Sequence, residues 1–315
     1  MKERILSASR IKTLETCSWS YWCSYHLKIP QRGNDGSKRG TLCHLIFELL
    51  MKKRHKKHFT QMMKRGGVEA NEAVKRLVKK HLDREKIHTE ENYTMVCNMI
   101  WVGINNDFFC EGAKLGEPEK EFLLESENPK YKIKGFMDKI ALYKKSGFLK
   151  IVDYKSSKGK FKGDELVSNI QALTYTLAAK KEWPNLKKII VDFVFLRFPK
   201  EPVQSVPENT EEQLKGFETY LAYIYKIINN FTEKLARSNF AADEQKNKWL
   251  CKAGKTWECP YYRAIDFFAL VDENNEILES SLENKFKPTE KQRVEKKRYD
   301  GCPAHNNLTK DFFLD

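Results

Sequence analysis

Apolar residues recur at three- and four-residue spacing through the first third of the chain and mostly at two-residue spacing beyond it. That change of period divides helices from strands. Ser9 is placed to cap a helix carrying Ile11, Leu14, Cys17 and Tyr21 on one face. Pro30 and the cluster Gly33-Asn34-Asp35-Gly36 end it. After Gly40, residues Leu42, Leu45, Ile46, Leu49 and Leu50 form the stripe of a second helix. Further helical patterns run through about residues 67–86 and 91–113.

The texture then turns strand-like. Glu121–Glu125 is a short β run, and Tyr131–Tyr143 alternates through Ile133, Gly135, Met137, Lys139 and Ala141. Phe148–Lys155 is rich in Ile, Val and aromatics, behind a hairpin turn at Lys144-Lys145-Ser146-Gly147. A helix is expected over 164–182, followed by the β-prone Lys188–Arg197. Thr210-Glu211-Glu212-Gln213 has the form of a capping box that opens a helix to about Ser238. From Trp249 the sequence reads as irregular and Cys-bearing. The order predicts an α/β fold with a mixed central sheet flanked by helices. A helical N-terminal insertion precedes it. One elaborated domain is expected over 1–315, with a helical part (1–116), an α/β core (117–240) and a Cys-bearing region with a basic tail (241–315).

Composition narrows the class. The 315 residues are 41% hydrophobic and 12% aromatic, enough for a sizeable core, which excludes a disordered tail protein or a fibre. No apolar run approaches the ~18 residues a membrane span needs, and Met1-Lys2-Glu3-Arg4-Ile5-Leu6 lacks the apolar stretch of a secretory signal. A cytoplasmic protein is expected, in a host's cytoplasm if the source is viral. Its eight Cys then read as reduced thiols or metal ligands. The net charge of +14 favours an anionic partner such as nucleic acid, although a lysine-rich background gives the same figure. Met51-Lys52-Lys53-Arg54-His55-Lys56-Lys57-His58 is a basic run suited to a phosphate backbone, whereas residues 283–300 look like a mobile, solvated segment.

The candidate chemistry lies at the end of one strand. Asp153 and Lys155 are two apart and project to the same face, while Tyr154 points away. Asp138, on the preceding strand, is placed to come beside Asp153 across a hairpin. Two carboxylates there repel unless a hard divalent cation such as Mg²⁺ or Mn²⁺ lies between them. The backbone carbonyl of Tyr154 offers a further oxygen. Such a cation polarises a phosphate oxygen and acidifies water, and Lys155 then stabilises developing charge. An ordinary Asp–Lys pair at a strand edge is the alternative. Gln171 and Tyr175, four apart on the next helix, share a face near the site. His44 lies on an apolar helix face, where a packed core histidine is the usual reading, and Glu119 or Glu121 can reach the site from ahead of the strands.

Taken in order, Ser7-Ala8-Ser9 with Cys17, Gly40-Thr41-Leu42-Cys43-His44, Gly135-Phe136-Met137-Asp138, Ile151-Val152-Asp153-Tyr154-Lys155 and Gln171…Tyr175 resemble the PD-(D/E)XK nuclease superfamily. The branch resembled is that of RecB-type exonucleases, with the AddAB nuclease domains and the CRISPR-associated adaptation nucleases. The likeness covers about residues 7–200. It implies a restriction-endonuclease-like core, with His44, Asp138 and Asp153 as ligands of Mg²⁺ or Mn²⁺. Lys155 is then the catalytic lysine, and Gln171 and Tyr175 contact DNA and support the site. The implied reaction is phosphodiester hydrolysis of DNA, as single strands or ends. No Walker-type loop is present, so a free-standing nuclease working beside a helicase or recombination partner is expected. Alternatives are a structure-dependent endonuclease with the same site, or a DNA-binding protein without turnover. Many relatives also hold a four-Cys iron–sulfur cluster. Cys17, Cys251, Cys259 and Cys302 are the candidates here for a [4Fe–4S] group, with Cys23 as a substitute and zinc or bare packed thiols as alternatives. Cys43, Cys97 and Cys110 are expected in the core.

Overall fold

The computed structural model describes residues 3–31, 33–254 and 257–305. It contains two compact units, one spanning 33–223 and one combining 1–32 with 224–315. The linear segments expected from sequence do not follow this division, because the first helices join the C-terminal part of the chain. Among the described residues no helix is long and apolar enough to cross a membrane.

The 33–223 unit is built on strands β1 (Lys114–Leu115), β2 (Lys120–Glu127), β3 (Lys130–Met137), β4 (Lys139–Tyr143), β5 (Phe148–Lys155), β6 (Lys188–Phe195) and β7 (Val203–Ser205). Five of them form a mixed sheet in the order β1-β4-β5-β6-β7, and β2 and β3 pair as a separate hairpin. Only the β5–β6 pairing is parallel, and the Ile170–Glu182 helix supplies the crossover it requires. Helices Asp35–Met51, Glu72–Arg84 and Glu90–Ile104 cover one face of the sheet. Their buried Leu42, Ile46, Phe47, Val78, Val96 and Ile100 join Val152, Tyr154 and Val194 in a common core. Each such side chain contributes roughly 1.5–3 kcal/mol by leaving water.

Several boundaries differ from the sequence reading for local reasons. The expected 131–143 strand is two strands, because the chain changes partner at Asp138: β3 pairs with β2 and β4 with β5. The second helix starts at Asp35, where Asn34 caps it through Ser37 N, so Gly40 lies inside it. Gly40 is required there. A Cβ would come 2.6 Å from Ser156 Oγ, so its absence lets the helix approach the chain just after Lys155. The expected 164–182 helix breaks at Asn169, whose side chain accepts from Gln171 N and Ala172 N and restarts it.

In the other unit the expected first helix is two, Ala8–Thr16 and Ser18–Tyr25, capped by Ser7 and Cys17. Extended backbone at Cys17 (φ −163°) separates them. Ser18 Oγ donates to the carbonyls of Ala236 and Asn239, and Trp19 Nε1 to Tyr299 Oη, tying these helices to the C-terminal part. That part is not irregular. A short hairpin of β8 (Lys252–Ala253) and β9 (Trp257–Glu258) precedes a sheet of β10 (Ile265–Asp272), β11 (Ile277–Ser281) and β12 (Gln292–Tyr299), with β10 central. Within the segment read as mobile, β12 is therefore a regular edge strand. Its Glu295 pairs with Arg293 and Lys297, which offsets the strand's own charge. Residues 306–315, the end of the expected basic tail, lie outside the described residues.

Candidate active site

The partner change at Asp138 builds the site. Lys120 and Met137 form the hairpin's last cross-strand pair at this end. The register places Glu119 opposite Asp138 as the next, and Glu119 N donates to the Asp138 carbonyl at 3.2 Å. Lys139 pairs with Val152 on the β4 side, which sets Asp138 beside the end of β5. There its Oδ2 accepts from Tyr154 N at 2.7 Å.

His44, on the Asp35–Met51 helix, completes a cluster. Its Nδ1 is 3.4 Å from Glu119 Oε1 and 3.3 Å from Asp138 Oδ2, and its Nε2 is 3.0 Å from the Tyr154 carbonyl. One ligand atom from each of His44, Glu119 and Asp138 lies within 4.8 Å of the other two, close enough to share one metal ion. A proton on Nε2 bonded to that carbonyl leaves the Nδ1 lone pair free for a cation, the usual arrangement of a metal-binding imidazole. The Tyr154 oxygen, expected as a ligand, thus also orients His44. Burial by itself lowers the His44 basicity. Hydrogen bonds to Asp138 and Glu119, with the charges of Asp138 and Asp153, more than reverse this and push it up to about 10. Burial raises the Asp138 carboxyl, and the neighbouring Asp153 charge raises it further.

Asp153 is 2% exposed and lies outside that trio. Its Oδ1 accepts from Gln171 Nε2 (2.6 Å) and Tyr175 Oη (2.9 Å). Its Oδ2 lies 2.7 Å from Lys155 Nζ, at an angle that makes an ion pair rather than a hydrogen bond. Lys155 Nζ donates to Gln171 Oε1 at 2.5 Å. The Tyr175 hydroxyl also lies 2.8 Å from the Phe136 carbonyl, and its one proton serves either acceptor. Tyr154, as expected, turns to the opposite face and packs 4.3 Å from Phe47.

The structure thus brings His44, Asp138, Asp153, the Tyr154 carbonyl, Lys155, Gln171 and Tyr175 into one neighbourhood. It adds Glu119 to the group that can hold a metal, while Glu121 lies on the outer face of β2. Glu119 has a left-handed backbone (φ 52°), a strained position that sequence does not reveal. Beside His44 and Glu119 an open hollow of about 670 Å³ is also lined by Thr41, His81, Arg84 and Ser156, groups able to hold a phosphate.

In the other unit Cys17, Cys251, Cys259 and Cys302 line one cavity of about 340 Å³, with Tyr261, Tyr262 and His305. Burial pushes the Cys302 thiol up to about 12, and Cys17, Cys259 and Cys251 add to the effect. Cys259 is raised to about 11 by burial and, among its other neighbours, by Cys17 and Cys251. No disulfide links any of them. Among the described residues no three sulfurs lie within 4.8 Å of one another. A tetrahedral zinc with 2.3 Å bonds holds them about 3.8 Å apart. Cys43, Cys97 and Cys110 are buried in the 33–223 unit.

A sequence model described as the PD-(D/E)XK nuclease superfamily matches residues 5–264. No curated protein matches the sequence. Among solved structures, the chain is similar to a protein from Eubacterium rectale designated "Putative exonuclease", with TM-score 0.45 and 13% identity over 78% of this chain and 87% of that one.

Proposed function

Since the chain belongs to the PD-(D/E)XK nuclease superfamily, we propose that it is a divalent-cation-dependent DNA exonuclease of the RecB type, acting on single strands or ends. One observation carries the reading: His44, Glu119 and Asp138 converge beside the Asp153–Lys155–Gln171–Tyr175 network. The oxygen-rich donor set suits Mg²⁺ or Mn²⁺, and the imidazole favours Mn²⁺. Bound there, the cation polarises a phosphate oxygen and lowers the pKa of water.

The chain's own residues do the remainder. Lys155, fixed by Gln171 and Asp153, presents an ammonium to the negative charge that grows on the phosphate. Gln171 and Tyr175 hold the Asp153 carboxylate so that it does not rotate away. Arg84 in the adjacent hollow offers a cation to a neighbouring phosphate. The basic run from Lys52 to Lys57 occupies the end of the Asp35–Met51 helix and the start of Lys56–Arg65 in the same unit, a second electrostatic footing for the strand.

In the same reading the thiol cavity holds a [4Fe–4S] cluster through Cys17, Cys251, Cys259 and Cys302. Four thiols lining one cavity support such a group. The branch resemblance supports a role in DNA repair or recombination beside a helicase, in the cytoplasm that the sequence reading expects.

Asp153→Ala, assayed with Mn²⁺ on end-labelled single-stranded DNA, is expected to abolish cleavage; a fully active variant refutes the site. Covalently closed single-stranded circles stay intact if the enzyme needs an end, and are cut by an endonuclease. Anaerobically purified protein should show broad absorbance near 400 nm, and a colourless, iron-free preparation excludes the cluster.

A further inference from the structure

The thiol cavity has an imidazole in its wall. His305 lines it beside Cys17, Cys251, Cys259 and Cys302, and its Nε2 is buried without a hydrogen-bond partner. Buried polar atoms in native folds are paired, so such an orphan calls for an ion, a water or another group from outside the chain. Among the described residues one other imidazole nitrogen stands in this condition, His26 Nε2, which is packed against the rings of Tyr21, Trp22 and Phe231. His305 is held differently. Its ring lies 4.5 Å from that of Tyr262, and its backbone N–H donates to the Cys302 carbonyl at 3.0 Å. That bond closes the turn Cys302-Pro303-Ala304-His305, whose two ends are near enough to serve one common group.

The four thiols are not equally prepared to bind. A hydrogen bond donated to sulfur favours the thiolate, the form that ligates metal. Cys17 Sγ accepts from Ser20 N at 3.4 Å, where it caps the Ser18–Tyr25 helix. Burial raises the Cys259 and Cys302 thiols, and backbone hydrogen bonds from Tyr261 and Ala304 work against it. Cys251 has no such donor among the described residues. Burial raises it, the charges of Cys17 and Asp243 add to this, and Lys248 opposes them. Cys23, the substitute named above, is not on the cavity wall, and its thiol is hydrogen-bonded to Tyr299. Three sulfurs and one nitrogen thus stand prepared for metal, where family likeness gives four sulfurs.

We infer that His305 Nε2 ligates the metal group of this cavity together with Cys17, Cys259 and Cys302, in the place that the likeness gives to Cys251. The inference rests on the cluster reading above and changes one of its four ligands. An imidazole in place of a thiolate raises the reduction potential of an iron–sulfur centre.

The test compares His305→Ala, His305→Cys and Cys251→Ser with the parent protein, each as the full chain reconstituted anaerobically with iron and sulfide. In the dithionite-reduced parent, pulsed electron paramagnetic resonance should show a strong nitrogen coupling that changes when histidine is labelled with nitrogen-15. His305→Ala should lose that coupling and most of the bound iron. His305→Cys should keep the iron, lack the coupling and have a lower reduction potential. Cys251→Ser should keep iron, coupling and potential alike. A parent without the nitrogen coupling overturns the inference. So does a Cys251→Ser protein that loses its iron while His305→Ala keeps it. Should His305→Ala fail to fold, the parent's coupling and the potential of His305→Cys still decide. Zinc in place of iron, with three sulfurs and one nitrogen around it by X-ray absorption, upholds the ligand set and overturns the cluster. A parent protein that binds neither metal overturns instead the metal-site reading beneath it.

Discussion

The carboxylate cluster takes most of its ligands from strand register. Glu119 donates its N–H to the Asp138 carbonyl one step past the last pair of the β2–β3 ladder, and β5 sets Asp153 alongside. The thiol cavity draws instead on positions 17, 251, 259 and 302, brought together by the fold at large. The two also differ in how they stand without a metal. Around the carboxylates, His44 and Lys155 supply positive charge, so the buried acids are already compensated. In the other cavity burial raises the Cys251, Cys259 and Cys302 thiols, which carry a proton at neutral pH. The carboxylate site thus has its charges balanced in place, whereas on the cluster reading proposed above the second would have to shed thiol protons as it took up metal.

The largest test of that contrast is chemical. Asp138→Ala and Lys155→Ala should each lower kcat by about 10²–10³-fold or more in protein that is still folded, with Lys155→Ala also losing stability because Asp153 stays buried without its cation. Cys302→Ser should do the reverse, removing visible absorbance and about 2 kcal/mol or more of stability from the anaerobic protein. If folded Cys302→Ser loses cleavage as completely as Lys155→Ala, the two sites are not separable.

A smaller effect probes the close approach behind the carboxylate site. Gly40→Ala should cost about 1–3 kcal/mol, because the new methyl meets Ser156 Oγ. Ser156→Gly in the same chain should recover most of it. An additive double variant, measured by urea unfolding, would show that the contact is not the cause.

A further effect is a pH dependence of the metal-free protein. His44 is held at about 10 in the folded state against an ordinary 6.5, so its contribution is complete below pH 6.5 and lost as pH rises towards 10. Asp138, also raised, acts in the same direction but at lower pH, its contribution being lost as pH rises through about 6. The melting temperature in chelator should therefore fall between pH 7 and 10, and His44→Ala should flatten that slope. With Mn²⁺ present the trend should weaken, because the cation competes with the proton. A slope identical in both proteins would show that His44 is not held protonated.

The chemistry was easier to read from sequence than the architecture that frames it. Asp153-Tyr154-Lys155 and Gly135-Phe136-Met137-Asp138 carry their geometry in two-residue periodicity, so the meeting of Asp138 with the end of β5 followed from a hairpin alone. Glu119 could only be a candidate, since its reach depends on a left-handed residue and a register set by β3. The break at Asp138 left no mark, because alternation continues smoothly across it from Met137 to Lys139. Strand β12 was missed for a different reason. Its residues Arg293, Glu295, Lys296, Lys297 and Arg298 look solvated because an edge strand needs few apolar contacts when it pairs along β10. The four candidate thiols come from family likeness, and nothing in the 42 residues between Cys259 and Cys302 announces that they line one cavity.

The antiparallel ribbon that ends at Asp138 has its far turn at Asn128 and Pro129, eight or more residues along the backbone from the ion-binding end. Its tip is consequently a place where loops can be exchanged or lengthened without disturbing hydrolysis.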